Sequence, residues 1–103
     1  MLLLTKEIEK KIPPLYSTEN TPEREKKIAV KFFNPCGAWT FYAVEGERQD
    51  NDFIFFGYVD GVDFPEWGYQ SLNEMKSIRL KFGLGIERDR HFNNKRISDI
   101  LGA

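Results

Sequence analysis

Between residues 28 and 59 the apolar positions gather into three short runs, 28–33, 38–45 and 53–59, separated by polar, turn-forming stretches. The runs are built largely from β-branched and aromatic side chains, which suit a pleated, half-buried surface, so each is predicted to be a strand. Alternation at period two puts Ile28, Val30 and Phe32 on one side of the first run and Ala29, Lys31 and Phe33 on the other. In the second run Trp39, Phe41 and Ala43 oppose Thr40, Tyr42 and Val44, so both sides are substantially apolar. Asn34-Pro35-Cys36-Gly37 joins these two runs. Asn tolerates turn geometry, Pro fixes one dihedral and Gly accepts a positive one, so the pair reads as a hairpin. Residues 46–52 are expected to form a polar loop before the third strand, which Asp60-Gly61 closes.

On either side of this segment the period lengthens to that of a helix. Leu4, Ile8 and Ile12 form one stripe behind Thr5, a candidate N-cap, and Pro13-Pro14 ends it because proline has no amide hydrogen to donate. Leu15 and Tyr16 are expected to pack back onto the core, and the polar stretch 17–27 to run over the surface. Residues 64–69 supply a fourth, edge-like extended segment despite Pro65 and Gly68. Ser71-Leu72-Asn73-Glu74 spells a capping box, followed by Leu72, Met75, Ile78 and Phe82 at helical spacing and by Gly83 and Gly85 as terminators. Residues 86–92 read as a short strand, and Asn94 as the cap of a last helix with Ile97, Ile100 and Leu101 on its apolar side. The predicted class is α+β: a single domain over 1–103, with an antiparallel sheet of three to five strands and helices covering one face.

Composition narrows the function classes more than it selects one. An apolar content of 41% excludes a wholly disordered chain. The net charge of −1 gives no bulk attraction to nucleic acid or membrane. Its distribution is uneven: residues 34–66 carry seven acids against one Arg, a local charge of −6, between flanks of +2 and +3. Cys36 stands alone, which excludes an internal disulfide or a cysteine-based zinc site and points to a reducing compartment. The apolar run at residues 1–4 meets Lys6 and Glu7 at once, too short for a signal-peptide core or a membrane span, so a cytoplasmic location is expected.

An ordered set of short pieces carries a family resemblance. Pro13-Pro14-Leu15-Tyr16 is followed by Lys31-Phe32-Phe33 with Pro35, then Trp39 and Glu45-Gly46. Phe55-Phe56-Gly57 with Val59 and Gly61, Gly68-Tyr69 with Ser71-Leu72, and Glu87-Arg88-Asp89 with Phe92 complete it. The series resembles the small bacterial domain-of-unknown-function family 2958, over roughly residues 3 to 92. The resemblance implies a stand-alone protein of about this size from plasmids or other mobile elements, encoded near replication, transfer or anti-restriction genes. It carries no activity onto these positions.

Candidate chemistry is sparse. Glu87-Arg88-Asp89-Arg90-His91 concentrates two acids, two guanidinium groups and the one histidine. If extended, Glu87, Asp89 and His91 face one side, as acid–base work or part of a metal site would need, and Arg88 with Arg90 the other, as a phosphate would need. The alternative is an edge strand whose charges discourage pairing with another chain. The acids of the 45–66 stretch lack calcium-loop spacing and read as solvated hairpin ends. Cys36 with His91 is a poor nucleophile–base pair, and Gly83-Leu84-Gly85 lacks the residues of a phosphate loop. Five rings, Trp39, Tyr42, Tyr58, Trp67 and Tyr69, combine an apolar body with a polar tip and suit a partner surface as well as a core.

The functional expectation is therefore a small, non-enzymatic interaction domain that uses no cofactor. Its partner is expected to be a protein first and nucleic acid second, with no membrane. Its expected surface combines those five rings with Arg88, Arg90, Lys95 and Arg96. The competing reading is a metal-dependent hydrolase or nuclease built on Glu45, Asp60, Glu87, Asp89 and His91, which requires at least three of them to meet near one point. A subunit that only completes a larger assembly is the third.

Overall fold

The computed structural model describes residues 2–102, and its elements follow the predicted order with different boundaries. Helix α1 spans Lys6–Lys11, with the Thr5 hydroxyl accepting from the Ile8 amide at 3.2 Å. Strands β1 (Val30–Phe33), β2 (Thr40–Gln49), β3 (Asp52–Asp60) and β4 (Glu66–Ser71) come next. Helix α2 (Leu72–Ser77), strand β5 (Glu87–Arg88) and helix α3 (Ile97–Leu101) complete the set, with single 3-10 turns at Glu23–Glu25 and Lys81–Gly83. Among the described residues the strands form one antiparallel sheet in the order β4-β3-β2-β1-β5. The expected α+β class, with an antiparallel sheet of three to five strands, is what the chain adopts, but the helices cover both faces rather than one, α1 and α2 packing on one side and α3 on the other.

One face of the sheet is the main core. Val30, Phe32, Phe41, Ala43, Phe53 and Phe55 are buried there under Leu72 and Met75 of α2 and under Leu3 and Ile12 at the ends of α1. The Leu4, Ile8 and Ile12 stripe packs as its spacing requires. The other face holds a smaller cluster, in which Ile28, Tyr42 and Val44 surround Ile97 of α3. Each fully buried Phe or Ile removes enough apolar surface to stabilise the fold by about 1.5–3 kcal/mol.

Several boundaries differ from expectation, and each difference has a local cause. The first ladder begins at Val30 because Lys26 and Ile28 pair elsewhere: the Ile28 amide donates to the Lys95 carbonyl at 2.9 Å, and the Ile97 amide to the Lys26 carbonyl at 3.0 Å. The stretch 46–52 is not a loop, since β2 and β3 pair through Gln49 and Asp52 and turn at Asp50-Asn51, with Asp50 at φ 53°. Helix α2 stops at Ser77, two residues after Met75, with Leu72 and Met75 buried. Beyond it Ile78 is 38% exposed and Phe82 is 93% exposed at φ 61°, so an extended helix would have no apolar face left to cover. Its last carbonyls are taken by side chains: Ser77 Oγ donates to the Glu74 carbonyl and Arg79 Nη1 to the Lys76 carbonyl, both at 2.7 Å. The last helix starts at Ile97, not after Asn94, and Asp99 Oδ2 accepts from the Arg96 amide at 2.8 Å. β5 is confined to Glu87–Arg88, and the chain turns at Arg90-His91.

Candidate functional site

The site begins with an irregularity in β2. Ala43 pairs with Gly57, but the next pair is Glu45 with Phe56, so Val44 is an extra residue in a β-bulge. A bulge interrupts strict alternation and lets two successive side chains share a face. Val44 stays in the cluster around Ile97, and Glu45, paired with Phe56, comes to the same side. Regular alternation would have sent Glu45 between Phe41, Ala43 and the α1 and α2 side chains.

Glu45 is 3% exposed and its carboxylate is fully engaged. It accepts from the Tyr16 amide at 2.8 Å, from the Thr18 amide at 3.0 Å and from the Thr18 hydroxyl. Lys26, 6% exposed, donates from Nζ to the Thr18 carbonyl and, at 2.9 Å, to Thr18 Oγ1. The Thr18 hydroxyl thus sits between a buried anion and a buried cation, which satisfies both where water is excluded. This network clamps the segment 15–18 against the sheet. Leu15 is buried as expected, whereas Tyr16, at φ 69°, turns outward and is 64% exposed.

Tyr16 ends a continuous run of rings. Tyr58 meets Trp67 edge-on with centroids 5.6 Å apart, and Trp67 stacks on Phe56 at 5.5 Å. Phe56 lies 5.1 Å from Tyr69, whose hydroxyl donates to that of Tyr16 at 3.4 Å. The register explains the run: Tyr58 pairs with Trp67 and Phe56 with Tyr69 across β3 and β4, so the four side chains share one face. Tyr16, Phe56, Trp67 and Tyr69 line a cleft of about 290 Å³. Glu19, Glu23, Glu45 and Lys26 supply its polar wall. The Tyr69 phenol is raised above the usual tyrosine range, first by its bond to Tyr16, then by loss of solvent and by the charges of Tyr16 and Glu45.

The sequence-predicted residues separate into several places. Trp39 stacks on Phe41 at 6.3 Å on the main-core face, away from the other rings. Tyr42 is buried, with its ring 6.0 Å from Phe92 and Lys31 Nζ 5.8 Å above it. Burial, then Asp60 and Asp89, raise its phenol above the usual range. Tyr58, Trp67 and Tyr69 lie together on β3 and β4. Arg88 is on β5, the opposite edge of the sheet, with Arg90 just beyond it, so three strands stand between these guanidinium groups and Trp67. Arg96 lines another cleft, of about 730 Å³, with Lys27, Val44 and Lys26, and exposed Lys95 is its neighbour in the chain. The single surface expected from rings and basic residues is thus split between the two edges.

The acids do not meet either. Glu45 is committed to Thr18, Asp60 ends β3 opposite Thr40, and Glu87 pairs with Phe33. Asp89 faces Lys31 Nζ at 3.6 Å and accepts from the His91 amide at 3.0 Å, because the chain has left the extended form that alternation assumed. Among the described residues no three His, Cys, Asp or Glu side chains form a group that could hold a metal ion. Cys36 is exposed in its turn, with Sγ 4.0 Å from the Lys81 carbonyl.

Tyr16, Thr18, Glu19, Glu23, Lys26 and Phe56 were not expected at a site. Five of them come from the stretch 16–26, far from Glu45 in the chain, and the bulge that recruits them leaves no mark in the hydrophobic pattern. No helix among the described residues is long and apolar enough to cross a membrane.

The family model described as "Protein of unknown function (DUF2958)" matches residues 3–101. Neither the curated proteins nor the solved structures contain a match to this chain.

Proposed function

The chain belongs to the DUF2958 family, and from that premise we propose that it is a small binding domain that docks a protein partner through the ring-lined face of β3 and β4. The observation that carries this reading is the continuous run of Tyr58, Trp67, Phe56, Tyr69 and Tyr16, which packs beside the Ile97 cluster at one end and reaches solvent at the cleft through exposed Tyr69 and Tyr16. Large rings with polar tips are the residues that dominate protein–protein anchors. Clamping of the 15–18 segment by Glu45 holds Tyr16 at the cleft before any partner arrives, which lowers the ordering cost of binding. A protein is favoured over nucleic acid because Glu19 and Glu23 stand at the cleft and would repel phosphates. The setting we assign is cytoplasmic, from the lone Cys36, and tied to plasmid or mobile-element biology, on the strength of the family resemblance.

The test is affinity capture from a bacterial host carrying the gene, using the wild-type chain beside Trp67→Ala, Tyr69→Ala and, at the opposite edge, Arg90→Ala. A partner held by wild type and Arg90→Ala but lost by both ring variants is the expected result. Retention by both ring variants removes this face from consideration.

A further inference from the structure

We infer that the cleft bounded by Tyr16, Phe56, Trp67 and Tyr69 receives a cationic side chain, arginine or lysine, presented by the protein partner. The inference rests on the binding-domain reading above and adds the chemistry of what is bound. Aromatic faces attract cations through the ring quadrupole, and a guanidinium also stacks flat on them. The rest of the wall has matching charge. Glu19, Glu23 and Glu45 contribute three carboxylates, against one ammonium from Lys26.

That ammonium is not available to compete. Lys26 is buried and its Nζ is spent on the carbonyl and hydroxyl of Thr18. Glu45 is equally committed to the 15–18 segment, so Glu19 and Glu23 remain exposed to meet an incoming positive group. A volume of about 290 Å³ has room for one long side chain.

The experiment is a chemical-shift titration of the full chain with two capped tripeptides, Gly-Arg-Gly and its citrulline counterpart. Citrulline has the shape of arginine without the charge, so the pair isolates the cation. The arginine peptide is expected to give saturable shifts at the Trp67 indole N–H and at the Tyr16 and Tyr69 rings. The citrulline peptide is expected to bind about tenfold more weakly, the scale of one partly desolvated cation–π contact. Glu19→Gln with Glu23→Gln should weaken the arginine peptide several-fold and leave the citrulline peptide unchanged. Equal binding of the two peptides, or no saturable shift from either, overturns the inference. The contrast uses the wild-type fold, so no variant has to survive for the result to count. Failure here with partner capture still lost in Trp67→Ala would leave the binding face standing and refute only its preference for a cation. Retained capture in both ring variants would refute the face itself.

Discussion

Glu45 is where residue-level chemistry decides most. A carboxylate that is 3% exposed survives because two amides and a hydroxyl converge on it, and because Lys26 reaches the same hydroxyl from the other side. Glu45→Ala would leave those donors buried without an acceptor and Lys26 without a counter-charge. The expected loss of folding stability is about 2–3 kcal/mol, read from the midpoint of urea unfolding. The variant should also release Tyr16, visible as loss of the Tyr16–Tyr69 contact in ring shifts. Gly57 shows the same dependence on local space. A Cβ there would lie 2.1 Å from the Tyr42 carbonyl oxygen and 2.8 Å from the Ala43 Cα, both rigid backbone next to the bulge. Gly57→Ala should therefore cost about 2 kcal/mol or more, because β2 cannot move aside without breaking its ladder. Unchanged denaturation would show that β2 gives way more easily than this geometry implies.

At the scale of elements, two joints hold the architecture. The first is the bulge at Val44. Deleting Val44 would remove the extra residue and leave the pairs on either side of it, Ala43 with Gly57 and Glu45 with Phe56, in register, so Glu45 would keep its side of the sheet. The expected outcome is a chain that still unfolds cooperatively in circular dichroism but at lower stability, as for Val44→Ala, because both lose the Val44 side chain from the cluster around Ile97; loss of the cooperative transition in the deletion alone would show that the bulge itself is required. The second joint ties the tip of the β2–β3 hairpin to the start of α2. Asp52 accepts from the Ser71 hydroxyl, from the Asn73 amide at 3.0 Å and from the Phe53 amide at 2.7 Å, while Ser71 Oγ accepts from the Glu74 amide at 3.1 Å. The Ser71 cap thus passes the hairpin's negative charge to the helix N-terminus, where it is favourable.

These bonds, with the Ser71 hydroxyl foremost and Arg48 adding a smaller pull, hold the Asp52 carboxyl below the usual carboxylate range. A depressed folded-state value means that folding releases a proton. The stabilising contribution is therefore complete above the ordinary Asp range and disappears as pH falls through the lower folded value. Carboxylate titration by NMR should show Asp52 below an ordinary Asp in wild type and moved up toward it in Ser71→Ala. A value already ordinary in wild type would break the proposed link between hairpin and helix.

For the whole molecule, the sheet order places what matters. β2 and β3 are flanked by strands on both sides, so their amides are expected to exchange with deuterium most slowly. The stretch 78–86, with Ile78, Phe82 and Leu84 exposed and Phe82 in the left-handed region, should exchange fastest. Comparable protection in the two regions would mean that 78–86 is held by contacts stronger than its exposure indicates. The same order sets the rings of β4 and the arginines of β5 and its flank at opposite edges. One partner of ordinary interface size need not touch both.

The hydrophobic period alone determined much of this protein. The three central strands, the Thr5 cap, the stop at Pro13-Pro14, the turn at Asn34–Gly37 and the burial of Leu72 and Met75 all follow from local chemistry, since spacing, capping groups and proline or glycine geometry act within a few residues. The resemblance carried by short ordered motifs was likewise legible, and the family match over residues 3–101 agrees with it. Tertiary structure alone decided the site. Glu45 reaches Tyr16 and Thr18 across a separation of 27 or more positions, after a one-residue bulge reverses the side it faces. No periodic pattern encodes that reversal, because a single inserted residue changes the direction of a side chain without changing the composition around it. Trp39 and Tyr42 show the converse: their residue types suit a partner surface, and only the packing of Phe41, Phe92 and Lys31 around them shows that they are not part of the row that runs from Tyr58 to Tyr16.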